Sequence, residues 1–117
     1  DPLLLEQALV NLLDNAVKYS PAGSQIMVTA RQRDERIVLT IADEGPGIPL
    51  AELPHIFDKF YRVRKADHGV AGTGLGLSVA RGFVESFGGS LTAGNRGDRN
   101  GAIFTLTIPV NRLQSAE

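Results

Sequence analysis

The chain has no cysteine and no tryptophan, one methionine and two histidines among its 117 residues. Without cysteine there can be no disulfide framework, no cysteine-ligated zinc, no thiol nucleophile and no iron–sulfur cluster. Charge of one sign is also lacking. Twelve basic side chains face thirteen acidic ones, a net charge of -1, so the basic footprint that drives sequence-independent binding to nucleic acid or an anionic membrane is missing. No apolar run approaches the roughly 20 residues that a membrane-spanning helix needs.

What the chain does have is a core and an excess of glycine. Against a prior of about 150 residues per domain, it has room for one compact unit. A hydrophobic share of 43% is enough to build that unit around a real core. Glycine occurs 13 times in 117 residues, where the usual share of about 7% would give about 8.

Asp1-Pro2 reads as a cap followed by proline at the first helical position, and Leu5, Leu9, Leu12 and Ala16 recur at helical spacing, so a helix is expected to about Tyr19. After the loop at 20–24, two alternating strands are expected over 25–31 and 36–43, joined near 33–35, with Ile37, Leu39 and Ile41 on one face and Val38, Thr40 and Ala42 on the other. The Glu-Gly-Pro-Gly-Ile-Pro stretch at 44–49 stops the sheet. A short helix is expected over 50–57 and a mobile loop over 60–73. A second long helix from Gly74 carries Leu75, Val79, Phe83, Val84 and Phe87 on one stripe and stops at Gly88-Gly89. Two more strands, near 90–95 and 102–110, flank a turn-rich segment at 96–101, and the tail after Pro109 is expected to fray. Strands gathered in hairpins, with helices not interleaved one per strand, point to an α+β two-layer sandwich: a mostly antiparallel sheet with helices on one face.

The glycines cluster at Gly45 and Gly47, after a strand, and at Gly72, Gly74 and Gly76, at the start of a helix. Glycine lets the backbone approach a ligand closely, and the first amides of a helix bind anions without a basic side chain. One such cluster is equally compatible with plain turns. There is no Gly-x-x-x-x-Gly-Lys-Ser/Thr P-loop, and Gly-x-Gly-x-x-Gly fails because the sixth position is Leu77 from Gly72 and Val79 from Gly74. On the first helix Asn11 and Asn15 share a face with each other and, one turn on, with Lys18 and Tyr19. Asparagine is a poor helix former, so this pair suggests carboxamides with a ligand such as Mg²⁺ to bind; core hydrogen bonding or capping is the competing use.

Four segments in order resemble the boxes of the ATP-binding fold shared by gyrase, Hsp90, MutL and bacterial sensor histidine kinases. They are Asn11 to Tyr19 (the asparagine box), Asp43 to Pro49 (the first glycine box), Ile56 to Arg62 (the phenylalanine box) and Gly72 to Leu77 (the second glycine box). The resemblance covers nearly the whole chain and implies ATP and Mg²⁺ as cofactors. It implies that Asn15, helped by Asn11, holds Mg²⁺, that Lys18 approaches the phosphates and that Tyr19 packs by the adenine. Asp43 would accept the adenine amino proton, with Gly45, Gly47 and Ile48 beneath the base. Thr73, Gly74, Leu75, Gly76 and Leu77 would hold phosphates, Arg62 would assist transfer, and Phe57 and Phe60 would anchor an ATP lid unless they are ordinary core aromatics.

In the ATP-hydrolysing members a glutamate four residues before the metal-binding asparagine acts as general base; here that position is Asn11. An amide cannot take a proton from water or a serine hydroxyl, whereas a neutral histidine is already a nucleophile, so the resemblance points to the histidine kinases. Neither His55 nor His68 has the acceptor context of that family, and both are expected to face solvent. The resemblance therefore implies that residues 1–117 are the catalytic domain of a longer kinase, a fragment lacking its dimerisation/acceptor and sensor domains. Its expected partners are the histidine-bearing dimerisation domain of a homodimer and a response regulator, with no direct nucleic acid. The expected location is cytoplasmic, in an inner-membrane sensor protein that meets the membrane only through the missing segments. From 56 to 89 the chain is similar to the potassium-responsive, osmosensitive branch of these kinases. A nucleotide-binding regulatory module without transfer activity and a gyrase- or Hsp90-type ATPase are the alternatives.

Overall fold

The computed structural model describes residues 2–58 and 76–110. Helix α1 (Pro2–Tyr19) is followed by the hairpin β1 (Met27–Arg33) and β2 (Arg36–Ala42), then by a single 3₁₀ turn (Leu53–His55), helix α2 (Gly76–Ser86), and strands β3 (Ser90–Asn95) and β4 (Ala102–Pro109). The sheet order is β1-β2-β4-β3, with every neighbouring pair antiparallel. α1 packs on α2 and over β2, and α2 packs over β3, so both helices lie on the same face of the sheet. The α+β sandwich expected from the sequence is the observed fold.

The core lies between the layers. Ala8, Leu12 and Ala16 of α1, Ala80, Val84 and Phe87 at α2, and Leu91, Phe104, Leu106 and Ile108 of the sheet are buried. β4 alternates strictly between buried and half-buried positions, as a strand covered on one face must. Val79, expected on the inner stripe of α2, is instead 37% exposed, and the small Ala80 sits inside, letting α2 approach α1 closely. α2 ends in a Schellman cap: Gly88 (φ 79) donates to the Glu85 carbonyl, and Gly89 to that of Val84.

Two expected boundaries move. β1 starts two residues later than expected, because the Gln25 amide donates to the Glu44 carboxylate at 2.9 Å instead of to a strand. The hairpin turn shrinks to Asp34-Glu35, with Asp34 left-handed (φ 55). The helix expected over 50–57 is the single 3₁₀ turn. The mobile loop, Leu75 and the tail beyond Val110 lie outside the described residues.

Candidate functional site

The antiparallel register brings the C-terminal ends of β2 and β3 and the N-terminal end of β4 to one edge of the sandwich: Ala42 pairs with Ile103, and Asn95 with Ala102. The first glycine box emerges there. Asp43 is only 4% exposed, the one charged residue among the described residues to be buried as a whole. Burying a carboxylate is costly unless it is hydrogen-bonded, and here Oδ1 accepts the amides of Gly45 (2.9 Å) and Ala102 (3.0 Å). Its own amide donates to the Ala102 carbonyl at 3.0 Å, which fixes the main chain as well. Among the described residues, no group donates to Oδ2. The carboxylate is thus clamped by one oxygen, leaving the other an acceptor without a partner among the described residues.

Glycine is required here by contact as well as by torsion. A Cβ at Gly45 would strike the Tyr19 carbonyl oxygen, and one at Gly101 (φ 144) would strike the Asp43 carbonyl oxygen. Gly47 is left-handed (φ 81), and a Cβ there would lie 2.8 Å from Asn95 Oδ1. The C-terminus of α1, the glycine loop and the start of β4 therefore meet at backbone distance.

A second tier of polar contacts comes from the segment at 95–101, which the sequence marked only as a strand end and a turn. Asn95 Oδ1 accepts the Ile48 amide at 2.6 Å, and its Nδ2 donates to the Ile48 carbonyl at 2.8 Å. Arg96 Nη1 donates to the Asp43 carbonyl at 3.0 Å. Glu44 accepts from the Gln25 amide through Oε1 and from Arg99 through Oε2, the latter at 2.7 Å. The Gln25 amide, followed by the Arg99 guanidinium, holds the Glu44 carboxyl below the usual carboxylate range.

A depressed folded value means that the contribution of Glu44 to stability is complete above its unfolded value, about 4.3, and is lost as pH falls through the folded value. Thermal unfolding of the wild-type chain and Glu44→Gln between pH 6 and pH 3 is expected to show the wild-type advantage shrinking as the pH drops. An advantage that stays constant across this range would contradict the assignment.

On α1, Asn11 and Asn15 are half-buried beside the inward stripe of Ala8, Leu12 and Ala16. Among the described residues neither carboxamide has a hydrogen-bond partner that would cap the helix or tie it to the core. Tyr19, one turn beyond Asn15, is half-buried where α1 abuts Gly45. Lys18 pairs with Asp14 at 3.4 Å, both side chains well exposed, an interaction weak enough to exchange. Among the described residues no group of three or more His, Cys, Asp or Glu is arranged to hold a metal. Mg²⁺ needs none, because it keeps waters and commonly takes one or two protein oxygens plus substrate phosphates. Two unpartnered carboxamides on one helix face fit that requirement.

Gly76 and Leu77 open α2, an 11-residue helix whose first amides have no partners within it. Thr73, Gly74 and Leu75, together with Phe60, Arg62 and His68, lie outside the described residues. Phe57 packs edge-to-face on Phe104, ring centroids 6.3 Å apart, with the Arg81 guanidinium 4.9 Å from its ring centroid. That is a core-edge aromatic. His55 is exposed and contacts Asp58 at 3.3 Å. Asn95, Arg96 and Gly101 are the site-building residues missed from the sequence; the one local signal was glycine immediately before a strand.

The model of the family described as "Histidine kinase-, DNA gyrase B-, and HSP90-like ATPase" matches residues 1–112. The chain is 44% identical to Sensor protein KdpD of Clostridium acetobutylicum over 110 residues, covering 93% of this chain and 12% of that protein. It is 42% identical over 109 residues to Signal transduction histidine-protein kinase AfsQ2 of Streptomyces coelicolor, covering 93% of this chain and 20% of that protein. Among solved structures, the mycobacterial sensor histidine kinase MprB superposes with a TM-score of 0.86 at 34% identity, covering 93% of this chain and 74% of that one.

Proposed function

We propose, because this chain belongs to the family of histidine kinase-, DNA gyrase B- and HSP90-like ATPases, that it binds Mg–ATP and delivers the γ-phosphoryl group to a histidine on a separate domain. The chain is homologous to the catalytic domains of sensor histidine kinases, and it spans 12% of the KdpD it matches. In the proposal residues 1–117 are one catalytic domain of a longer sensor kinase. That kinase acts as a homodimer in the cytoplasm, attached to a membrane by its other segments, and passes the phosphoryl group to a response regulator. Potassium sensing of the KdpD type would belong to those segments. Among the described residues no helix is long and apolar enough to cross a membrane.

Asp43 Oδ2 would accept the adenine amino proton, with Gly45, Gly47 and Ile48 beneath the base and Tyr19 beside it. A carboxylate can only accept, and adenine offers an amino donor where guanine offers a carbonyl acceptor, so the site would select ATP. Asn15, with Asn11, would hold Mg²⁺, which when bound neutralises charge on the phosphates. Lys18 would leave Asp14 to reach the phosphates. Amides over 73–77 would hold them at the start of α2, with Arg62 assisting transfer.

Asn11 is the observation that carries the choice of acceptor. At its position a carboxylate would deprotonate water; an amide cannot, and the acids of α1, Glu6 and Asp14, are exposed. A neutral imidazole needs no base to attack, so the domain's work is positioning and charge neutralisation. Mixing the chain with γ-labelled ATP and the histidine-bearing domain of its full-length protein should give an acid-labile, alkali-stable label on histidine. Nucleotide binding without label would instead identify a regulatory module. Fast phosphate release by the chain alone, undiminished by Asn11→Ala, would identify an ATPase.

A further inference from the structure

We propose that Asn95 and Arg96 are positioning residues for base selection, tying the two ends of the 43–48 loop to the sheet so that Asp43 meets the base at one fixed angle. The inference rests on the reading of Asp43 as the base acceptor.

At Gly45 and Gly47 the loop's backbone has more freedom than other residues would give it there, and a hydrogen bond to a base weakens steeply as its angle departs from linear. Something must therefore hold the loop. Arg96 holds its first residue. The guanidinium is oriented by a fork onto Asp98, with Nε and Nη2 each 3.0 Å from a carboxylate oxygen, which leaves Nη1 to donate to the Asp43 carbonyl at 3.0 Å. The side chain is only 7% exposed although Gly97 to Asn100 beside it are all exposed. Its own amide donates to the Gly101 carbonyl at 2.9 Å, closing the turn that lets Gly101 pass against Asp43.

Asn95 holds the loop's last residue. Its carboxamide bonds both the amide and the carbonyl of Ile48, the pairing a neighbouring strand would give. Two adjacent residues at the end of β3 thus grip both ends of the loop. The Asp43 carbonyl belongs to the Asp43–Glu44 peptide, which adjoins the Glu44–Gly45 peptide through Glu44, so a shift of the first is passed on to the Gly45 amide, one of the two donors fixing Oδ1. Loosening Arg96 loosens the carboxylate through this path without removing any atom of the site.

The test is the ratio of affinities for Mg–GTP and Mg–ATP, with tripolyphosphate as a probe that has no base, measured by calorimetry on wild type, Asn95→Ala and Arg96→Ala. The wild type should prefer ATP. In Arg96→Ala the preference should fall about tenfold, the loss of one charge-assisted hydrogen bond, with tripolyphosphate affinity unchanged. In Asn95→Ala it should fall several-fold. A residue that only stabilised the fold would weaken all three ligands alike, leaving the ratio intact. Should Arg96→Ala not fold, Asn95→Ala decides, because Asn95 is exposed. If the wild type prefers ATP and the variants keep its ratio, the inference is overturned while the Asp43 reading stands. If the wild type shows no preference, the Asp43 reading fails and takes the inference with it.

Discussion

Asp43→Asn should reverse the nucleotide preference of the domain, costing Mg–ATP affinity by a factor of roughly 10 to 100 and improving Mg–GTP. The amides of Gly45 and Ala102 both donate to Oδ1, so in the variant the carboxamide oxygen must occupy that position, since an NH₂ there would face two donors. The amide nitrogen is then turned to the place of Oδ2, where a sole acceptor has become a donor. Adenine's amino group meets another donor and loses a charge-assisted hydrogen bond worth about 1.5–3 kcal/mol. Guanine's O6 gains a partner instead. Because Oδ1 keeps its two donors, the variant should unfold at nearly the wild-type temperature, whereas Asp43→Ala would strand two buried N–H groups at about 1–3 kcal/mol each. Competition titrations of ATP against GTP decide the matter. An Asp43→Asn variant that still preferred ATP as strongly as wild type would remove Asp43 from base recognition.

The parts of the site that can be argued from sequence are those built from neighbours in the chain. Asn11 and Asn15 share a face because the helix period puts them there, and Asp43-Glu44-Gly45-Pro46-Gly47 must leave its strand because proline and glycine cannot continue it. The grip on that loop is of another kind. Ile48 lies 47 residues from Asn95, and Asp43 lies 53 from Arg96. These pairs meet only because β3 and β4 return to the edge where β2 ends, and no period or spacing records that. The start of β1 depends on a distant contact too: Gln25 alternates like a strand residue, but its amide is taken by Glu44, 19 positions away. On the inner stripe of α2 periodicity favours the larger Val79, whereas close packing of α1 on α2 selects Ala80.

Asn15→Ala should abolish Mg²⁺-dependent nucleotide binding while leaving the fold as stable as before or slightly more so. The two effects have independent causes. A structural asparagine in a helix is held by a hydrogen bond, and its loss costs about 1 kcal/mol; among the described residues Asn15 makes none. Alanine is moreover the better helix former, by about half a kcal/mol in a helix interior, and α1 runs 18 residues from Pro2 to Tyr19, with Asn15 a full turn from its end. Stability therefore has little to lose. The ligand has much more, because Mg²⁺ takes only one or two protein oxygens at such sites and removing one leaves the phosphates' charge poorly neutralised. ATP binding measured with Mg²⁺ and with EDTA should differ strongly in the wild type and hardly at all in Asn15→Ala, alongside equal or higher melting temperatures. A variant that melted several degrees lower and kept its Mg²⁺ dependence would return Asn15 to the role of a structural helix residue. The same pair of measurements on Asn11→Ala separates the two asparagines. A weaker, partial loss of Mg²⁺ dependence is expected there, with Asn15 as the principal ligand and Asn11 as its support one turn earlier.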